Sequence, residues 1–390
     1  MASNYRKLGD VIKLVDERNV GGNVTNLLGV SIDKHFIPSV ANFIGTDLTK
    51  YKVVRKNRFA CSLMQVSRDH KMPISRYSKN ELSIISPAYV TFELAGNDVL
   101  PEYLELWTQR TEFDREADFY AVGGVRGNMT WDELCGMSLV VPPIEQQLKI
   151  IARHNAIDAR IEVLGQLNDK LAAILAHLYE ALILNKFNEA KPKGWRYQTL
   201  ASLCSKIGSG ATPRGGKSVY AKSGVSLIRS ANVFDYKFSY NDLAHINGTQ
   251  ASKLDSVIVE ERDVLFNITG MSVARCCMVP ASVLPARVNQ HVMIIRPSGD
   301  LARWMSGLIM CTLCHPFFKQ QLLGIGQSGS TREAINKGEM EAFKIIVPDD
   351  EVVCSFGRQV DAIYQQITHG IREIELLETA RNAMLSQLDR

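Results

Sequence analysis

The side chains in this sequence best placed to do chemistry are cations set among glycines and hydroxyls. The chemistry they suit is the binding of phosphate and of base edges. The stretch Lys206-Ile-Gly-Ser-Gly-Ala-Thr-Pro-Arg-Gly-Gly-Lys217 gathers Lys206, Thr212, Arg214 and Lys217 on one loop. Its glycines let backbone N–H groups approach a phosphate. It is not a nucleotide-binding P-loop, because Gly216-Lys217-Ser218 would require a glycine at the position of Ala211. A second turn-rich loop occurs twice, as Gly123-Gly-Val-Arg-Gly-Asn-Met-Thr130 and as Gly329-Ser-Thr-Arg-Glu-Ala-Ile-Asn336. It sets Arg126 and Arg332, the latter preceded by Thr331, at equivalent points. Arginine on such a loop suits bidentate contact with guanine or phosphate, and equally suits a tie to a neighbouring carboxylate. Arg229, Asn232, Asn267 and the run Asn289-Gln290-His291 add groups able to read base edges or to satisfy buried backbone.

More cations cluster early in the chain. Ten Lys or Arg lie between Lys34 and Lys79, including Lys52, Arg55, Lys56, Arg68, Lys71 and Arg76. Glu93 to Asp118 holds eight acids against two arginines, so the +4 net charge is unevenly spread. Lys206 to Lys237 repeats the basic bias, with six cations against one acid. Clustered positive charge favours phosphate contacts, and a merely solvated basic surface is the plainer alternative.

Catalytic signals are weak by comparison. Cys311-Thr-Leu-Cys314-His315 has the spacing of covalent haem attachment, but it lies in an apolar, helix-like stretch. No second Cys or His pair at ligand spacing accompanies it to hold zinc, and the adjacent Cys276 and Cys277 do not supply one. No Gly-x-Ser-x-Gly or His-Glu-x-x-His string occurs. The expectation is a noncatalytic protein with no catalytic residue, no metal and no cofactor of its own. Eight irregularly spaced cysteines read as thiols. The absence of an apolar leader or span points to the cytoplasm and to no membrane partner.

The elements that must carry these loops are written twice. Ser138-Leu-Val-Val-Pro142 returns as Lys344-Ile-Ile-Val-Pro348, and the same offset of 206 pairs Glu133 with Glu339 and Leu171 with Leu377. A long helical segment follows each copy. In the first, Ile157, Ile161, Leu164, Asn168, Leu171, Leu175, Leu178 and Leu182 occupy alternating heptad seam positions. In the second the seam comprises Val360, Ile363, Ile367, Ile374, Leu377, Met384 and Leu388, interrupted by Gly370 and Arg381. The economical arrangement buries the two stripes against each other in antiparallel fashion, with a globule at each end. A helix of about 40 residues would measure roughly 60 Å and could act as a ruler along DNA. The expected fold class is α+β: two tandem pseudo-symmetric α/β globules joined by two long antiparallel coiled-coil helices. The expected boundaries are 1–144 for the first globule, 145–190 for the central helix, 191–348 for the second globule and 349–390 for the C-terminal helix.

Several strings carry a family resemblance over essentially the whole chain. They are Phe59-Ala-Cys-Ser-Leu-Met-Gln, Ile85-Ser-Pro-Ala-Tyr, Phe119-Tyr-Ala-Val-Gly-Gly-Val-Arg-Gly, Val141-Pro-Pro-Ile-Glu-Gln-Gln, Ile228-Arg-Ser-Ala-Asn-Val and Val288-Asn-Gln-His-Val. With the 206–217 loop, they make the chain resemble the specificity subunit of a type I restriction-modification system. The resemblance implies two target recognition domains, each reading half of a bipartite target in double-stranded DNA, with the helices setting the unread spacer. It also implies two modification subunits as partners, carrying S-adenosylmethionine and methyl transfer, and through them the motor-nuclease subunits. A stand-alone two-domain DNA-modifying enzyme and a coiled-coil scaffold without DNA are the competing classes.

Overall fold

The computed structural model describes residues 5–39, 46–64, 66–123, 127–327 and 334–388. The chain divides into two units, Met1–Ala159 with Leu377–Arg390, and Arg160–Leu376. The unit boundaries therefore fall inside the long helices, whereas the sequence reading placed them at the helix ends.

The first unit is built on an antiparallel sheet in the order Ile12–Leu14, Val90–Leu94, Phe59–Cys61, Ile74–Arg76. The second unit repeats that order with Cys204–Ser209, Val292–Pro297, Val264–Asn267 and Cys276–Met278. Each unit adds a mixed sheet around one parallel pair, Leu27–Val30 with Ser83–Ile85 in the first and Val225–Ile228 with Ala286–Val288 in the second. The strands are short and rich in Val, Ile and Phe, as half- or fully buried strands should be. Helices cover them, Pro101–Thr108 and Thr111–Gly123 in one unit and Ala302–Cys314 and Pro316–Gln327 in the other. Trp107, Tyr103 and Phe113 are wholly buried in the first core, each contributing roughly 2–3 kcal/mol by removal from water.

The duplication is legible bond by bond. Leu8 N donates to Met137 O at 2.8 Å, and Leu200 N donates to Phe343 O at 2.9 Å. The short helices Trp131–Gly136 and Lys337–Ala342 both begin with a capping box. Thr130 and Glu133 form the first, Asn336 and Glu339 the second, at the 206-residue offset. At the sheet centres, Phe59 pairs with both Phe92 and Arg76, while Val264 pairs with both Ile295 and Met278. These ladders make Ser86-Pro87-Ala88 the counterpart of Asn289-Gln290-His291. The matching bonds Tyr89 N to Ser86 O (3.1 Å) and Val292 N to Asn289 O (3.2 Å) agree.

The central helix runs Ile144–Tyr179, passes through a π turn at Glu180–Leu184 and ends as Asn185–Ala190. The C-terminal helix runs Asp350–Ser386. Within the second unit Arg160 meets Glu373, Asn168 faces Gly370, and Tyr179 lies against Phe356, so partner numbers fall as chain numbers rise and the helices are antiparallel. Ile161, Leu164, Asn168, Leu171 and Leu175 follow the expected stripe of partly to fully buried positions, as do Val360, Ile363, Ile367, Ile374 and Leu377. Beyond Leu175 the stripe departs from the heptad. Tyr179, Ile183 and Phe187 enter the core in place of Leu178 and Leu182, which are only partly buried. A spacing of four suits the wider π turn, and it aims these side chains at the second unit's core. In the first unit Ile157 and Met384 are partly buried, Leu388 joins Leu385 in the core, and Arg381 bonds Asp158 at 2.9 Å.

Candidate nucleic-acid interface

In the first unit the basic segment folds onto the acidic one. Lys34, in a left-handed turn with φ 65°, is buried and bonds Asp114 at 2.8 Å. Burial holds its ammonium below the ordinary lysine value, with Asp114 opposing. Arg76 meets Glu105 at 2.9 Å and Glu102 at 3.0 Å, and Lys52 bonds Tyr89 O at 2.8 Å beside Asp16. Arg55 pairs with Glu17, Arg68 with Asp69 and Lys71 with Asp33. The sequence expectation of a DNA-facing basic patch is thus corrected for Lys34, Lys52 and Arg76, whose charges are paired within the globule. Charges separated in sequence attract once folding brings them together. Lys56 is exposed with no ion pair among the described residues.

The second unit keeps its loop cations outside. Thr212, Arg214 and Lys217 are exposed, and neither cation makes an ion pair among the described residues. Lys206 instead bonds Ser256 O at 2.9 Å, and Arg229 reaches Asp242 O and lies 5.8 Å over the Tyr220 ring. Two further corrections concern amides. Asn232 is buried and donates to Ser239 O and Asn241 O at 3.0 and 3.1 Å, and Asn267 donates to Ser230 O at 3.0 Å. Both brace backbone.

Beside that loop is an open cleft of about 470 Å³ lined by Ser230, Thr269, Met271, Ser272, Arg275 and His291. Its walls are fixed locally. Ile268 N donates to His291 O at 3.1 Å, Ile335 N to Ile268 O at 2.9 Å, and Thr269 forms a bridge with Ala334. The loop is held against it by bonds from Gly210 N to Val292 O (3.0 Å) and Ala211 N to Val288 O (3.1 Å). Only glycine permits that approach, since a β-carbon at Gly210 would lie 2.0 Å from Val288 O.

Within the cleft Thr269 Oγ1 lies 2.8 Å from His291 Nδ1, and Gln290 Nε2 lies 3.2 Å from His291 Nε2. Asn289 Oδ1 accepts from His291 N at 3.1 Å. Sequence reasoning missed Arg275, whose guanidinium sits 4.7 Å over the Phe234 ring, and Met271, which is fully exposed after Gly270 at φ 70°. An apolar side chain after a glycine turn was the available signal. Arg126, Thr331 and Arg332 lie outside the described residues. Cys311 and Cys314 are buried in the helix Ala302–Cys314, and burial pushes the Cys311 thiol far above its usual value. Among the described residues no group of His, Cys, Asp and Glu is placed to hold a metal ion, and no helix is long and apolar enough to cross a membrane.

The duplicated α+β frame with its two long helices is a fold that a solved type I restriction-modification S subunit shares. The crystal structure of one such S subunit, from M. genitalium, superposes with a TM-score of 0.57, covering 98% of this chain and 95% of that one at 13% identity. In sequence the chain is similar to the type I restriction enzyme HindI specificity subunit of Haemophilus influenzae, 18% identical over 78% of this chain and 80% of that protein. The HsdS subunit of Thermoanaerobacter tengcongensis is also similar, at 17% identity, 98% and 95% coverage and a TM-score of 0.42. No family model matches.

Proposed function

We propose that this chain is the DNA sequence-specificity subunit of a type I restriction-modification complex, each globule reading one half of a bipartite target. The observation that carries the reading is the duplicated frame with unlike loops: the same sheet order twice, with exposed Thr212, Arg214 and Lys217 and an open cleft lined by Arg275 and His291 in one copy. Phosphate contacts from the loop cations would position the unit, and side chains at the cleft would read base edges in the major groove. The chain itself is noncatalytic in this reading, with S-adenosylmethionine and methyl transfer on two modification subunits, and motor-nuclease subunits joined through them. The helices set the unread spacer and dock the modification subunits. Val163, Leu167 and Ile174, which leave one apolar face of the central helix exposed, support the docking role. We assign residues 1–144 and 191–348 to the two recognition domains, with 145–190 and 349–390 as spacer helices, and Lys56, Arg126, Thr212, Arg214, Lys217, Thr331 and Arg332 to DNA.

The test is an exchange of residues 191–348 for those of a relative with another target, followed by mapping of the methylated sequence in the complex. One half of the target changes and the other stays. A change in both halves overturns the modular reading, and methyl transfer by the purified chain alone would make it an enzyme.

A further inference from the structure

We propose that Gln290 is a specificity-determining residue of the second unit, reading an adenine in the major groove, with His291 and Thr269 as positioning residues; this rests on the DNA-recognition reading above. An amide nitrogen can only donate, so the 3.2 Å contact between Gln290 Nε2 and His291 Nε2 makes that ring nitrogen the acceptor. The ring proton then sits on Nδ1, where it donates to Thr269 Oγ1 at 2.8 Å. This chain of two bonds uses one of the two amide hydrogens of Gln290. It leaves the other N–H and the carbonyl oxygen as a fixed donor and acceptor pair on an exposed side chain. Such a pair matches the N7 and N6 edge of adenine.

The backbone beneath is stiff. His291 O and N are bonded to Ile268 N and Asn289 Oδ1, and Asn289 N donates to Ile228 O at 3.0 Å. The Gly210 approach seats the 206–217 loop against this turn at Gly210 and Ala211. The exposed cations Arg214 and Lys217 follow within seven residues of that seat. At the equivalent turn of the first unit Pro87 replaces Gln290 and Ala88 replaces His291, and neither carries a side-chain amide or an imidazole. The first unit therefore has no counterpart of this reader at its equivalent turn.

The experiment selects binding sites from a randomised duplex library with the full chain in complex with its modification subunits. The wild type and the variants Gln290→Ala, Gln290→Glu and His291→Ala are compared at matched thermal stability. The wild type is expected to show a conserved adenine in one half-site. Gln290→Ala and His291→Ala should both lose about tenfold or more of the discrimination at that same position, leaving the other half intact. Gln290→Glu, which can only accept, should move the preference there to cytosine. A wild type that selects a bipartite target, with variants that select the same target or weaken all sequences equally, overturns this assignment alone. A wild-type complex that selects no sequence overturns the function it rests on.

Discussion

Gly370 stands where a side chain would strike Asn168: a β-carbon there would lie 2.5 Å from Oδ1 and 3.0 Å from Nδ2. Asn168 is buried in the helix seam, and neither amide atom has a hydrogen-bond partner among the described residues. Two irregular positions of the heptad pattern thus fit each other, a polar knob in a hole that only glycine leaves open. Gly370→Ala gains up to about 1 kcal/mol of helix propensity, yet it should lower the melting temperature because the overpacked seam costs about 1–3 kcal/mol. Combining it with Asn168→Ala should restore the gain. A double-mutant cycle on thermal unfolding should return a coupling of about 1 kcal/mol or more.

Internal and external cations should separate by assay. Arg76→Ala leaves Glu105 with its largest compensating charge removed, in a site where burial already raises its carboxyl above the ordinary value. We expect a loss of about 3 kcal/mol in denaturant unfolding. Arg214→Ala and Lys217→Ala should change stability by less than about 0.5 kcal/mol. They should weaken DNA binding and flatten its salt dependence, by roughly one unit of slope for each phosphate left without its cation.

Acid should destabilise the first unit through His154. Its Nδ1 lies 3.1 Å from Asp158, which in turn holds Arg381. Burial keeps the imidazole below its ordinary 6.5, with Asp158 opposing and Arg381 reinforcing the shift. On acidification the unfolded chain takes up this proton before the folded chain does. The contribution is therefore complete above 6.5 and declines as pH falls from there through the lower folded value. Urea midpoints at about pH 7.5 and about pH 5.5 should differ less for His154→Gln than for the wild type.

Gly210→Ala tests the seating of the 206–217 loop. The β-carbon meets backbone oxygen rather than a yielding side chain, so the strand end must move, at a cost of about 1–3 kcal/mol. Because Arg214 and Lys217 move with it, DNA affinity should fall more than for Gly208→Ala, whose β-carbon has no neighbour within 4 Å.

The duplicated frame was legible because a 206-residue offset survives in residues with fixed structural tasks, such as Glu133 and Glu339 in their capping boxes. The antiparallel helix pair was legible from its heptads up to Leu175. Past that point the π turn changed the period, and no single residue type announces such a turn. The site was read less well. A count of cations cannot tell Lys34, which has found Asp114, from Lys217, which has no carboxylate among the described residues, because the pairing spans distant parts of the chain. Asn232 and Gln290 have the same amide chemistry, and only burial separates the brace from the exposed amide.

The core of the first unit packs Leu385 and Leu388 with residues such as Leu8 and Phe59. That core consequently has a schedule. On the ribosome its sheets are translated before the second unit, and the helix end that seals them only after it. The first unit is thus finished only once the second has been made, and through that interval its apolar seam waits uncovered.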